Sequence, residues 1–578
     1  MLEPKYEVVW PLGPATASRL DPNKAMAEFN GGRVGFIWDY LGRGDQMWSV
    51  CQKALAERYP DIEFADHEQF GNIHGEDERE VIAALPDLIR AAELDAVIVG
   101  VGVCGSCTPA VLRACRVAES VGIPAVAIVA TGFMRQAKMT VKTLGIGHMP
   151  ICEYPGSVQS DSVEVMVDKI HESVIPSLFE ALEGARLRED GNLDQDNQDA
   201  LDPAPRDIIF SGAIDAVMDH FHARLWSDGL PFIPPTTARV DEFLSWTDRH
   251  ASDVVGVLSP GLREATAWAV AVNGVMAGCR PEYMPLLLAI TEAIADPDFR
   301  LQDAGSTPGW EPLVVVSGPL VRSLQMNFGV GMLKVGPQSN TSIGRFVRLL
   351  TRNVAGFVPG QSDMGAIGST FNVALAEDDE STASVGWRPL RSELGFATTD
   401  TTVTIQSVVA VSPPCYCAGT NAIELIEPLT HMMGTTAGTW AWLGVQFGRF
   451  HPLIVMSPLV AKAFANVGWG KEEIQRHLFE NAMVEARWME QYPKHVKGSA
   501  VSMSELVKDG IADPGLALSE DPDRPLPVLR RAEWTNIVLG GDPNRNQSRV
   551  YINNHSHGVP TTRRVVLPAG WHDRLGSQ

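Results

Sequence analysis

From residue 33 to residue 131 the chain alternates two hydrophobic rhythms. Residues 34–39, 95–103 and 123–131 are short apolar runs with few polar interruptions, the pattern of strands buried on both faces, and 61–64 is a shorter run. Residues 46–59 and 78–94, and the stretch that ends near Ser120, have the amphipathic pattern of helices. Gly42-Arg43-Gly44 marks a turn between the first strand and the first helix. This alternation predicts an α/β domain with a doubly wound parallel sheet, flavodoxin-like in type. Ligands of such sheets bind beyond the carboxyl ends of the strands, an edge that receives Asp39, Tyr40, Cys104, Cys107 and Thr131.

The rhythm stops at LREDGNLDQDNQDALDPAPR, residues 187–206, where Asp, Asn and Pro replace the apolar positions. We read this stretch as a linker between an N-terminal domain, 1–186, and a C-terminal unit, 207–578. The second unit mixes its signals: helices are expected over 214–226, 262–275, 284–295 and 342–353, and strands over 312–316, 403–411 and 536–539. Its class is α/β or α+β, with room for two subdomains.

Composition narrows the setting. The 578 residues are 45% hydrophobic and 20% charged, which is globular. No apolar stretch reaches the ~18 residues of a membrane span, and no basic-then-apolar leader opens the chain, so we expect a cytoplasmic protein without membrane contact. A net charge of −23 repels the nucleic-acid backbone and excludes it as a partner. Eight cysteines are too few for a disulfide scaffold, but they are unevenly spaced. Cys104, Cys107 and Cys115 sit together, Cys415 and Cys417 form a second pair, and Cys51, Cys152 and Cys279 stand alone as core hydrophobes.

Cys104-Gly105-Ser106-Cys107 follows a buried strand and precedes Thr108-Pro109-Ala110, a helix start. Backbone N–H groups and the helix dipole there favour a thiolate, and two cysteines so spaced can close a small disulfide. Half of a zinc site is the competing reading, with Cys415-Tyr416-Cys417 as an irregular second half. Arg280 and Glu282, ahead of an apolar helix, fit either a substrate carboxylate and proton shuttle or a simple salt bridge. Gln338, Ser339, Asn340 and Thr341 form a polar loop before a helix bearing Arg345, Arg348 and Arg352, a pattern that suits an anion. His555 and His557 have the H-x-H spacing of metal ligands on a strand, and His431 and His148 are weaker candidates. We assign no nicotinamide or flavin; a metal ion is the one cofactor left open.

Residues 96–127, AVIVGVGVCGSCTPAVLRACRVAESVGIPAVA, resemble the UGSC-motif family, in which selenocysteine or cysteine occupies the position of Cys104. They are also similar to the selenocysteine segment of selenoprotein B in glycine, sarcosine and betaine reductases. The resemblance covers about residues 33 to 185 and implies that Cys104 is the attacking or redox-active atom and Cys107 its resolving partner. The loop Asp39-Tyr-Leu-Gly-Arg-Gly44 departs from the family's small polar loop. Residues 226–236, 273–283 and 336–345 resemble a module that accompanies the family.

These readings lead to a thiol-dependent enzyme, reductase-like, that cleaves or exchanges a carbon–heteroatom or sulfur bond in a small anionic metabolite. Cys104 attacks, Cys107 resolves, Cys415 and Cys417 exchange disulfides with them, and a thiol serves as electron donor. Asp39, Tyr40, Arg280, Glu282 and the 338–341 loop bind the substrate. A non-redox lyase, isomerase or hydrolase and a metal-dependent enzyme are the alternatives. We expect a homo-oligomer.

Overall fold

The computed structural model describes residues 3–18, 20, 32–147, 149–183, 202–368, 370–371, 373–491, 502–508, 510, 512–554 and 558–577. Strand β1 (Tyr6–Val9) comes first, followed by β2 (Arg33–Trp38), β3 (Glu63–Ala65), β4 (Ala96–Gly102), β5 (Ala125–Ala130) and β6 (Ile151–Tyr154). Strands β2 to β6 form a five-stranded sheet in the order β3-β2-β4-β5-β6, parallel throughout. That is the flavodoxin-like order.

Both faces of this sheet are covered, which explains the unbroken apolar runs. Helix α1 (Gly44–Arg58) packs Met47, Trp48 and Leu55 against Phe36, Ile98 and Ile128 on one face. Helices α2 (Glu78–Ala91), α3 (Cys107–Ser120) and α4 (Met134–Thr143) pack Leu85, Leu112 and Ala137 against Val97, Val99 and Val129 on the other. All seven residues of β4 are buried, and each fully buried Val or Ile contributes roughly 1.5–3 kcal/mol relative to exposure. Cys51 and Cys152 belong to the first core, Cys115 to the second, and Cys279 to a core of the C-terminal unit.

The C-terminal unit contains β7 (Ile208–Gly212), the hairpin β8 (Val254–Leu258) and β9 (Arg263–Thr266), β10 (Glu311–Ser317), β11 (Leu375–Ala376) and β12 (Thr402–Val411). Then come β13 (Cys415–Tyr416), β14 (Leu453–Met456), β15 (Met483–Glu485), β16 (Pro525–Pro527), β17 (Asn536–Leu539), β18 (Gln547–Asn553) and β19 (Thr561–Arg564). Its main sheet is eight-stranded and mixed, running β11-β10-β12-β18-β14-β17, with β13 on β18 and β19 on β12. Two large cores flank it, one built mainly from residues 217–405 and one from 387–552. The unit is therefore two cores joined by one sheet.

Three local expectations change. The helix expected over 262–275 starts later: residues 263–266 are strand β9, and the Thr266 hydroxyl caps the helix Ala267–Ala277 by accepting from Ala269 N at 3.2 Å. The last residues of the expected linker are tied down, since Asp202 accepts from Ala15 N and Arg263, and Arg206 pairs with Asp241; residues 187–201 lie outside the described residues. Strand β1, finally, pairs antiparallel with β7, and Val8 and Val9 lie in a C-terminal core. The N-terminal segment thus fastens the two units together.

Candidate active site

The parallel sheet reverses its strand order between β2 and β4, so their carboxyl ends leave a crevice. After β2 the chain turns sharply through Tyr40, Gly42 and Arg43, all with left-handed φ (55°, 63° and 54°). After β4 it passes through Val103 to the CGSC turn and enters α3. Asp39 ties these two turns together: its Oδ1 accepts from Val101 N at 3.0 Å and from Leu41 N at 3.2 Å.

A cavity of about 620 Å³ occupies the crevice. Leu41, Val103, Cys104, Ser106, Phe133, Ser157 and Ser160 line it from the first unit, and Asp303, Thr307, Trp440, Phe447 and Asn554 from the second. Cys104 is partly exposed at its floor, while Cys107 is fully buried. The two are joined by a disulfide with Cα atoms 5.3 Å apart. Cys107 N–H, at the start of α3, points at Cys104 Sγ from 3.0 Å, and the Ser106 hydroxyl lies 3.4 Å from the same sulfur. Once the pair is reduced, an amide and a helix N-terminus aimed at one sulfur favour its thiolate form.

Ser106 leads on to a buried histidine. His74 Nε2 lies 3.1 Å from Ser106 Oγ, and His74 Nδ1 faces Glu78 Oε2 at 3.6 Å and Asp303 Oδ1 at 4.0 Å. Arg113 and Arg300 hold both carboxylates: Arg113 meets Glu78 at 2.6 Å and Asp303 at 3.6 Å, and Arg300 meets Asp303 at 2.8 Å and also contacts Glu78. Burial alone would raise the Glu78 carboxyl, but Arg113, His74 and Arg300 outweigh it and hold the group at about 2. His74, Glu78 and Asp303 place donor atoms within 4.8 Å of one another, a spacing that suits a metal. Two guanidiniums already balance the two carboxylates, so a divalent cation there would meet fixed positive charge; the cluster fits imidazole orientation better.

The units interlock beside this chain of groups. A methyl group on Gly105 would meet Gly305 O at 2.1 Å and Met364 Cβ at 2.9 Å. Gln136 Nε2 donates to Gly105 O at 2.7 Å and to Ser362 O at 3.4 Å. The CGSC turn is thus held by residues of both units.

Residues 7–184 match the UGSC family. No curated protein and no solved structure matches the chain. The UGSC segment supplies Cys104, Cys107, Ser106, His74 and Glu78, and the remainder of the chain supplies Asp303 and Arg300.

Of the residues singled out in the sequence, Cys104 and Cys107 stand at the crevice, and Asp39 lies buried beneath it. Burial raises the Asp39 carboxyl to about 6 against the lowering effect of Val101 N–H and His74. Tyr40 stacks on Trp38 with ring centroids 4.6 Å apart, and Thr131 donates to Glu153 at 2.6 Å. Arg280 and Glu282 are outside the crevice lining: Arg280 is 63% exposed and 3.8 Å from the buried Glu282 carboxylate. The contact between them is the ion pair of the salt-bridge reading.

Residues 338–341 also lie away from the crevice, in the first turn of the helix Gln338–Asn353. Asn340 accepts from Asn327 N and donates to Asn327 O and Ala374 O, all within 2.7–3.0 Å. Gln338 bonds Tyr283 OH and Gly278 O, Ser339 bonds Gln325 O, and Thr341 accepts from Gly336 N. Their polar atoms tie loops together instead of offering themselves to an anion. Arg345 is likewise bidentate to Asp228.

Cys415 and Cys417 are buried with Sγ atoms 3.9 Å apart on β13 and just after it, away from the lining of the Cys104 crevice. His555, His557 and His148 lie outside the described residues, and Asn554, immediately before His555, lines the crevice. His74, Ser106 and Asp303 were not found from the sequence. His74 and Glu78 are four residues apart at the start of α2, a weak signal; Asp303 carries none.

Proposed function

We propose that the protein is a thiol-dependent enzyme with Cys104 as nucleophile. The supporting observation is the chain Cys104–Ser106–His74, backed by carboxylates from both units and opening on a cavity large enough for a small metabolite. A nucleophile, a proton-handling histidine and groups that orient it are the parts this chemistry needs.

In the reductive form of the reaction, the Cys104 thiolate attacks the carbon of a carbon–heteroatom bond and the heteroatom leaves with a proton relayed from His74 through Ser106. Cys107 thiolate then attacks Cys104 Sγ, the carbon–sulfur bond breaks, and the carbon fragment takes up a proton. The substrate gains two electrons and the dithiol becomes a disulfide. A small dithiol donor returns the pair to its reduced state and is itself oxidised. Among the described residues, the cavity lining includes no Lys or Arg. The anionic end of the substrate therefore falls to backbone N–H groups where α3 and the turn Thr131–Phe133 begin, and to the hydroxyls of Ser157 and Ser160. Its apolar part faces Trp440, Leu443 and Phe447.

The His74 connection equally suits a non-redox lyase, in which Cys104 acts without Cys107. Turnover of a panel of small carbon–sulfur, carbon–nitrogen and carbon–oxygen substrates, read with mass spectrometry of the alkylated protein, separates the two. Reductive chemistry gives a Cys104–Cys107 disulfide when the donor is limiting, and Cys107→Ser stalls after one turnover with an adduct on Cys104. Full turnover by Cys107→Ser selects the lyase; full turnover by Cys104→Ser ends the thiol reading altogether.

A further inference from the structure

We propose that Cys415 and Cys417 form a second, separate thiol site: a two-thiolate clamp for a soft cation, Cu(I) being the reference ion, open to one exogenous thiol. The local fold holds the pair in place. Strand β13 pairs with β18 in the register Cys415↔Ser548 and Tyr416↔Gln547, and Cys417 N donates to Asn546 O at 3.0 Å. In this extended backbone alternate side chains share a face. Tyr416 is 57% exposed and accepts at its hydroxyl from Gln547, while both thiols turn inward.

The inward geometry fits a metal. At a metal–sulfur distance of about 2.3 Å, the Sγ–Sγ separation of 3.9 Å subtends about 116° at the ion, between tetrahedral and trigonal. No large side-chain movement is needed. An all-sulfur donor pair selects soft ions over Mg, Ca or Mn. Zinc, with its four-coordinate habit, would be half-coordinated here, whereas Cu(I) is satisfied by the two thiolates and one more sulfur. Cys417 lines a surface cavity of about 360 Å³, bordered by Lys462, Asn466 and Asn546, that admits both the ion and a small thiol. Lys462 brings a positive charge to a centre that would otherwise carry two negative ones. Binding displaces one proton from each cysteine and one from the incoming thiol, and no atom changes oxidation state.

The test is anaerobic titration of the full chain with Cu(I) against a chromophoric Cu(I) chelator, in a Cys104→Ser/Cys107→Ser background that silences the crevice pair. One equivalent bound, lost on adding Cys417→Ser with the circular dichroism spectrum and melting curve preserved, supports the site. A second measurement needs no change at this pair. In the same background, Cu(I) buffered tenfold above its Kd slows alkylation of Cys415 and Cys417 about tenfold by peptide mass spectrometry. Unaltered stoichiometry in the Cys417→Ser variant, unaltered alkylation, or binding of Zn(II) but not Cu(I) overturns the proposal.

Discussion

Replacing Asp39 by asparagine stabilises the folded protein at neutral pH, by an amount set by where the carboxylate is buried. Asp39 is 1% exposed; its Oδ1 serves Val101 N and Leu41 N, and its Oδ2 has no hydrogen-bond partner among the described residues. Its carboxyl is raised from 3.8 to about 6, mainly by burial. At about 1.4 kcal/mol per pH unit, the folded state carries roughly 3 kcal/mol for keeping this group ionised. The sign follows from proton binding: between these two values the folded chain holds more protons than the unfolded one, so stability falls as pH rises, and the full cost is reached above pH 6. Asparagine retains the acceptor for both N–H groups and has no charge to bury. Its amide nitrogen carries a desolvation cost of its own, but that cost is independent of pH. The pH-dependent part is therefore the clean observable. Urea denaturation of reduced wild type and Asp39→Asn, followed at pH 5 and pH 8, is expected to give a stability difference that moves by about 1.5 kcal/mol in favour of the variant at the higher pH. A difference that stays constant across this range, or moves the other way, would refute the placement of an ionised Asp39 beneath the crevice.

Two further substitutions probe how the site is held and what lies outside it. Gly105→Ala forces a methyl group onto Gly305 O and Met364 Cβ, backbone and side-chain atoms of the other unit, and is expected to cost about 1–3 kcal/mol and to lower the melting temperature; an unchanged melt sinks the interlock. Asn340→Ala leaves three backbone groups without their buried partner and should cost at least ~2 kcal/mol in denaturant titration, yet leave the rate of Cys104 alkylation unaltered; a slowed Cys104 would return residues 338–341 to the active site.

The elements of the UGSC segment were legible because its strands are buried on both faces and its helices on one. The run 34–39 became Arg33–Trp38 and the run 95–103 became Ala96–Gly102. Strand 403–411 and strand 536–539 were equally plain from their apolar content. Their pairing was not, because Gln547–Asn553 inserts between β12 and β14 from far along the chain, and only tertiary packing decides such neighbours. The same division holds for chemistry. Cys104 was legible because a strand, a glycine turn and a helix start surround it locally. His74 and Asp303 meet only when the two units dock, across 229 positions of chain, and nothing near either residue announces it. Residues 338–341 are ambiguous for the opposite reason: a polar loop before a helix has the same composition whether its side chains bind an anion or lock neighbouring loops, and Asn340 bonds Asn327 and Ala374.

The pH dependence of Cys104 alkylation in the reduced protein, compared between wild type and His74→Gln, tests the central claim most directly. If His74 supports the Cys104 thiolate through Ser106, the variant reacts about tenfold more slowly with iodoacetamide at pH 7, the worth of one hydrogen bond to a charged group at about 1.5 kcal/mol, and the gap closes toward pH 9.5. Superimposable profiles for the two proteins would contradict the account.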